Sequence, residues 1–164
     1  DFYFNFLYGA SGVLHGEKYI VPVVHRGTES YLMALNTTTG KDIWRVIRPT
    51  QARDETKEAY TTPIPITYDG KTEIALVGGD AVTGHEVETG KELWRVDHPE
   101  MDTWATPLVV EHNGRPQVIV NAMNKVRSFD LETGKLLWET TLPFSGTLTD
   151  RGAASPSSPT FPSA

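Results

Sequence analysis

Glu86-Val87-Glu88-Thr89-Gly90-Lys91-Glu92-Leu93-Trp94 is a string that this chain writes three times. It stands earlier as Asn36-Thr37-Thr38-Thr39-Gly40-Lys41-Asp42-Ile43-Trp44 and later as Asp130-Leu131-Glu132-Thr133-Gly134-Lys135-Leu136-Leu137-Trp138. Each copy reads polar-x-x-Thr-Gly-Lys-x-x-Trp. Self-similarity at a fixed period of a few tens of residues marks a solenoid, a propeller or an array. The tryptophans are 50 and then 44 residues apart. The second and third copies align without a gap: Thr62-Pro63 matches Thr106-Pro107, Asp69-Gly70 matches Asn113-Gly114, and Val82 matches Val126. The first copy is followed by a longer connection, 16 residues from Trp44 to Tyr60 against 10 from Trp94 to Trp104. A period of about 40 to 50 residues suits one four-stranded propeller blade.

Strand signals inside a repeat agree with that reading. In the second repeat, Thr62 to Thr67 is a short β-branched run whose prolines suit a strand with unpaired N–H groups. Asp69-Gly70 is a two-residue hairpin signal, because both central residues of that turn need positive φ. Glu73 to Val77 is almost wholly apolar, as expected where both faces of a strand are covered. Ala81 to Val87 and Leu93 to Val96 complete the four, with Gly90 expected at a left-handed position in the turn between them. The third repeat has Asn113-Gly114 as its hairpin, with Leu108 to Val110 and Val118 to Val120 as strands. In the first, His15-Gly16 takes the hairpin place, with strands at Tyr19 to Val24, Tyr31 to Asn36 and Ile43 to Val46. No segment keeps a helical period. The expected class is all-β, a partial propeller of four-stranded antiparallel blades. One incomplete domain spans 1–164, with blades at 8–47, 60–97 and 104–142 and the start of a further blade at 155–164.

Composition bounds the function. The chain has 164 residues, 38% of them apolar, a formal charge of −6 and no cysteine. That length buries a sizeable core. The acidic balance, without a basic stripe, argues against nucleic acid. No apolar run approaches a membrane span. Lack of cysteine excludes a disulfide framework and cysteine-ligated zinc. Asp1 to Leu7 is aromatic but lacks the basic start and small-residue cleavage site of a signal peptide.

The Thr-Gly-Lys-x-x-Trp string, with an acidic or amide residue three places before its threonine, resembles the tryptophan-docking motif of the pyrroloquinoline-quinone-like (quinoprotein) β-propellers. The resemblance covers about residues 8 to 142. That family holds quinoprotein alcohol and sugar dehydrogenases. It also holds non-enzymatic members, among them the propeller lipoprotein of the bacterial outer-membrane assembly machine. It implies that Trp44, Trp94 and Trp138 dock against neighbouring turns built by Gly40, Gly90 and Gly134 with Thr39, Thr89 and Thr133. Asn36 and Glu86 replace the usual aspartate, so their caps are expected to differ from that of Asp130. Known rings have four to eight blades. The chain is therefore expected to be part of a seven- or eight-bladed propeller, with Ser157-Ser158-Pro159-Thr160 opening another blade and the missing blades among its partners. An extracytoplasmic, periplasmic setting in a bacterium follows from the resemblance alone.

In an up-down-up-down blade the hairpins and the Thr-Gly-Lys turns share one end. The other end carries the variable turns and connections, where function usually rides on a rigid scaffold. Candidate ligand contacts there are Arg53, Asp54, Glu55, Glu58, His98, Glu100, Asp102 and Arg151; the plain alternative is that these are solvated loop charges. Asp97-His98-x-Glu100-x-Asp102 has donors for a hard cation but not the EF-hand glycine and ligand order, and reads as an ordinary loop. Asn36-Thr37-Thr38 fits a glycosylation sequon but sits in the repeat turn, where its residues have structural work. There is no nucleophile elbow and no glycine-rich phosphate loop. The leading expectation is a non-catalytic scaffold that binds other protein surfaces, with no catalytic residue, metal ligand or cofactor assigned. The alternative is part of a quinone-dependent dehydrogenase, for which the resemblance would supply the quinone and a calcium ion, although many such alcohol dehydrogenases carry adjacent cysteines that this chain lacks. A sensory or adhesive ectodomain is a third option.

Overall fold

A computed structural model of the protein describes residues 8–25, 27, 29–52, 57–97, 105–122 and 125–142. Twelve strands run through them: β1 Val13–His15, β2 Lys18–Val23, β3 Tyr31–Asn36, β4 Asp42–Ile47, β5 Ile64–Tyr68, β6 Lys71–Gly78, β7 Ala81–Glu86, β8 Glu92–Asp97, β9 Leu108–His112, β10 Arg115–Asn121, β11 Lys125–Asp130 and β12 Leu136–Thr141. They form three four-stranded antiparallel sheets, each in chain order, β1 to β4, β5 to β8 and β9 to β12. The described residues contain no α-helix. This is the all-β, bladed architecture that the repeat announces.

Tight turns make each sheet a meander. Asp69 and Gly70 both have positive φ (46° and 71°), as do Asn113 and Gly114 (53° and 71°), so both central residues of each hairpin are left-handed. The first hairpin differs from its expected place. His15 pairs with Lys18, so the turn is Gly16-Glu17 and only Gly16 has positive φ. The short β1 before it, Val13–His15, also went unassigned in the sequence, having just three residues on which to show alternation.

The Thr-Gly-Lys turns are close copies of one another. The amides of Gly40, Gly90 and Gly134 donate to the carbonyls of Asn36, Glu86 and Asp130 at 2.8 Å, and those residues' own amides donate to the carbonyls of Lys41, Lys91 and Lys135 at the same distance. Asp130 Oδ1 also accepts the Thr133 amide (3.0 Å) and hydroxyl (2.8 Å). Asn36 Oδ1 reproduces that cap, accepting the Thr39 amide at 2.8 Å and its hydroxyl at 3.0 Å. An amide oxygen at the same reach accepts as a carboxylate does, and Asn36 Oδ1 takes the Thr38 amide as well, at 3.1 Å, so its cap carries one more bond of this kind than that of Asp130. Glu86, one methylene longer, takes only the Thr89 hydroxyl.

Two cores lie between the sheets. Ile20, Leu32 and Ala34 of the first sheet meet Ile74, Leu76 and Val87 of the second. Ala75, Val77, Val82 and Trp94 of the second meet Val118, Val120, Phe129 and Leu131 of the third. Alternate residues of β6 therefore serve opposite cores, which is why that strand reads as an unbroken apolar run. Burying each such aliphatic side chain contributes about 1.5–3 kcal/mol.

Candidate functional site

At one end of the sheets lie the β2–β3, β6–β7 and β10–β11 turns and the connections that leave β4 and β8. The pairing fixes this, since Ile47 at the end of β4 faces Tyr31 at the start of β3, and Asp97 faces Ala81. Most of the expected ligand contacts fall outside the described residues: Arg53, Asp54, Glu55, His98, Glu100, Asp102 and Arg151. Glu58 is described, and it is no solvated loop charge. It is 1% exposed, and its carboxylate accepts the Tyr60 hydroxyl.

Several groups at this end escaped the sequence reading. Arg48, the first residue after β4, is wholly buried. Its Nη2 donates to the Ala81 carbonyl at 2.8 Å and its Nε to Thr83 Oγ1 at 3.1 Å, so it ties the first sheet to β7 of the second. Nη1 finds no hydrogen-bond partner among the described residues. Burial, reinforced by Arg95, lowers the guanidinium pKa to about 10, and the group stays charged at neutral pH. Asp80 accepts Thr50 Oγ1 at 2.8 Å and the Gln51 amide at 2.7 Å. Burial works to raise the Asp80 pKa, but those bonds and Arg48 outweigh it and hold the carboxyl below its ordinary value. His25 accepts the Gly27 amide at Nδ1 (2.8 Å) and donates from Nε2 to the Glu29 carbonyl (3.0 Å), so the ring is neutral with its proton on Nε2. Burial pushes its pKa down against that second bond.

Behind this end, the polar chain continues through the second sheet. Thr83 Oγ1 accepts from Arg48, and its hydroxyl donates to His85 Nε2 at 3.0 Å. His85 Nδ1 then donates to the Gly90 carbonyl, also at 3.0 Å. Burial drives the His85 pKa down to about 4. No run of neighbouring residues carries a signal for this chain, because Arg48 lies 35 positions before Thr83 along the sequence.

At the opposite end stand the docking candidates. The Trp44 ring covers Gly90 of the next sheet, where an added Cβ would sit 2.6 Å from Trp44 Cε3. Trp94 covers Gly134 likewise, at 2.9 Å. In each sheet the tryptophan pairs across the strands with a small residue, Ala34, Gly84 or Ser128, and a bulge follows directly. Such bulges re-aim side chains. Trp44 Nε1 donates to the Val87 carbonyl of the second sheet at 3.2 Å. Trp94 does not use a backbone acceptor. It donates to Glu73 Oε2 at 3.1 Å, within its own sheet, and Glu73 also takes the Tyr68 hydroxyl. Gly40 has nothing within 4 Å of its Cβ position, and Trp138 is 43% exposed.

Among the described residues no three histidine, aspartate or glutamate side chains gather to hold a metal ion. Glu58 and Asp80 spend their oxygens on neighbouring protein groups. Glu58 and Asp80 therefore do not make a quinone–calcium site.

The family model described as outer membrane protein assembly factor BamB matches residues 9–161. Among solved structures, BamB from Moraxella catarrhalis aligns with a TM-score of 0.57 at 17% identity, over 77% of this chain and 34% of that one. The quinohemoprotein alcohol dehydrogenase ADHIIG from Pseudomonas putida HK5 aligns with a TM-score of 0.52 at 13% identity, over 80% of this chain and 27% of that one. The chain thus spans about a third of the length of the first and about a quarter of the second, and at these identities the likeness is one of fold. No curated protein sequence matches.

Proposed function

The chain belongs to the family of the outer membrane protein assembly factor BamB, and on that premise we propose that it is a non-catalytic scaffold that binds other proteins. The observation that carries this reading is the state of the connector end. Apart from Arg48 Nη1, its buried and half-buried polar groups bond to one another or to backbone, Arg48 to Thr83 and Ala81, Asp80 to Thr50 and Gln51, Glu58 to Tyr60. Side chains committed in this way hold loops in shape and present a surface. A substrate would instead need convergent groups aimed into a pocket. The setting that goes with the reading is the bacterial periplasm, at the outer membrane. No helix among the described residues is long and apolar enough to cross a membrane.

The test is binding to a purified outer-membrane assembly machine from which its propeller subunit has been removed. Saturable binding, weakened by charge reversal in the 48–63 connection, supports the scaffold, and no binding refutes it. The likeness to the quinohemoprotein dehydrogenase keeps a second reading in view. Titration with pyrroloquinoline quinone and calcium addresses it. Saturable quinone binding with oxidation of an alcohol or sugar by the complete reading frame supports a dehydrogenase, and inert protein refutes it.

A further inference from the structure

We propose that His25 is a proton-operated latch on the β2–β3 turn. Its neutral ring holds the Gly27 amide inward, and protonation of the ring releases that amide and lets the peptide unit turn over. The turn belongs to the connector end, but the latch is a property of the chain alone and stands without the scaffold reading.

The turn is built round the imidazole. β2 ends at Val23 and β3 begins at Tyr31. Between them His25 is 4% exposed, and both its ring nitrogens bond to the turn's own backbone. Nδ1 accepts the Gly27 amide at 2.8 Å, and Nε2 donates to the Glu29 carbonyl at 3.0 Å. The base of the turn is fastened separately. Ser30 Oγ accepts the His25 amide at 3.2 Å, and Ser30 is as buried as the ring. The Ser30 carbonyl accepts the Arg48 amide at 2.8 Å, and the Val24 carbonyl accepts the Ala59 amide at 3.2 Å. Both flanks are thus tied to the connection that leaves β4, while the ring holds the tip. A change at the ring therefore moves the tip on a fixed base.

The two ring bonds respond differently to a proton. Nε2 already carries one and donates in either state. Nδ1 is an acceptor in the neutral ring and a donor in the imidazolium. Once it is protonated, two N–H groups face each other at 2.8 Å, and the Gly27 contact cannot persist. A trans peptide points its carbonyl away from its N–H. Turning over the unit that carries the Gly27 amide brings an oxygen to the new Nδ1 proton, and a hydrogen bond of reversed sense forms. Glycine makes that rotation cheap, since it takes either sign of φ. A buried donor left without an acceptor is costly, so the turn has two bonded states, one for each charge of the ring.

The surroundings set where the latch trips. Burial disfavours the imidazolium and is the largest influence, and the amino terminus of the chain acts in the same direction. The bond to the Glu29 carbonyl favours the charged ring, as does the carboxylate of Glu58 on the connection tied to the turn. Burial prevails, and the pKa lies below the ordinary histidine value of 6.5. The closed turn binds fewer protons than the open one. It therefore prevails above pH 6.5 and gives way as the pH falls through the lowered pKa, the ratio of open to closed rising by up to about tenfold per pH unit.

NMR of the nitrogen-15-labelled chain, from pH 7.5 downward, tests the latch. At neutral pH the ring should carry its proton on Nε2, and a nitrogen–nitrogen coupling should be seen across the Gly27–Nδ1 hydrogen bond. As the ring titrates, below pH 6.5, that coupling should vanish and the Gly27 amide should shift with the same midpoint. The Arg48 and Ala59 amides at the base should keep their places. His25→Gln cannot titrate there and should abolish the Gly27 transition. Glu58→Gln keeps an acceptor for Tyr60, removes a charge that favours the imidazolium, and should move the midpoint to lower pH. Wild-type co-titration of ring and amide decides the matter by itself, should either variant fail to fold. A ring with its proton on Nδ1 at neutral pH overturns the proposal. A ring that titrates while Gly27 stays unchanged overturns it too, as does a Gly27 transition that persists in His25→Gln.

Discussion

Gly90→Ala and Gly40→Ala are the same chemical change at the same backbone conformation, with one difference beside them. Both glycines are left-handed, with φ of 75° and 69°. An L-residue there costs roughly 1–2 kcal/mol in backbone strain. At Gly40 the new methyl meets nothing within 4 Å, so the strain is the whole cost. At Gly90 the methyl lies 2.6 Å from Trp44 Cε3 and 2.8 Å from Cζ3, and the ring must move. The ring is held by its bond to the Val87 carbonyl and by the first core. Overpacking of that kind adds about 1–3 kcal/mol. Gly90→Ala should then cost about 2–5 kcal/mol in total, built from those two contributions. The assay is urea unfolding followed by tryptophan emission in dilute solution, with stability taken from linear extrapolation. Gly134→Ala, 2.9 Å from Trp94, should fall with Gly90. Equal losses at positions 40 and 90 would refute the reasoning, since they would leave left-handed strain as the only role of Gly90.

Three further outcomes follow from the same geometry. Trp94→Phe should cost about 1.5–3 kcal/mol in urea unfolding, because it strips a hydrogen bond from a buried carboxylate, whereas Trp44→Phe loses a bond to a neutral carbonyl worth about 0.5–1.5 kcal/mol; the reverse order would mean that Glu73 is not the acceptor. Arg48→Ala orphans the buried Ala81 carbonyl, a cost of roughly 1–3 kcal/mol before any cavity is counted, and a change within about 0.5 kcal/mol would show that Arg48 does not fasten the first sheet to the second. His85 has its pKa lowered from 6.5 to about 4 by burial. The unfolded chain therefore binds more protons between those values, stability is fully present above pH 6.5, and on the order of 3 kcal/mol is lost as pH falls to 4. Thermal melts at intervals from pH 7 to 4 on wild type and His85→Phe should show the variant with the shallower decline, and parallel curves would remove His85 as the cause.

What the sequence made legible was whatever it repeats. The Thr-Gly-Lys turn could be read because its conformation depends on neighbours within five positions, and glycine is the residue that takes positive φ freely. The alternation in β6 could be read because both its faces are buried by sheets that the period itself supplies. Gly16-Glu17 was displaced by one position, because glycine marks a turn without saying which of the two central places it fills. The acceptor of Trp94 was missed for a different reason. Glu73 and Trp94 lie 21 residues apart, and a charged residue at the start of an apolar run looks like a solvated boundary. Glu58 misled in the same way, since a carboxylate in a charged connection gives no local sign of being buried.

The repeat also conceals how unlike its two joints are. Thr83 and His85 face the first sheet and, with Arg48, line that joint with a hydrogen-bonded chain. One period later Arg127 and Phe129 take their places, and the second joint is apolar around Phe129. Buried polar groups contribute little net stability, but removing one partner is costly, and in some systems they specify which element pairs with which. A tryptophan over a glycine is a joint that any two sheets of this repeat can make. The Arg48–Thr83–His85 chain is one that only these two can complete. The motif therefore explains why the sheets stack, and the unrepeated residues explain why the first sheet has the second as its neighbour. The same division accounts for the difficulty of reading function here. Side chains that distinguish one blade from another lie outside the repeated string, toward the connector end, where a single sequence offers no second copy for comparison.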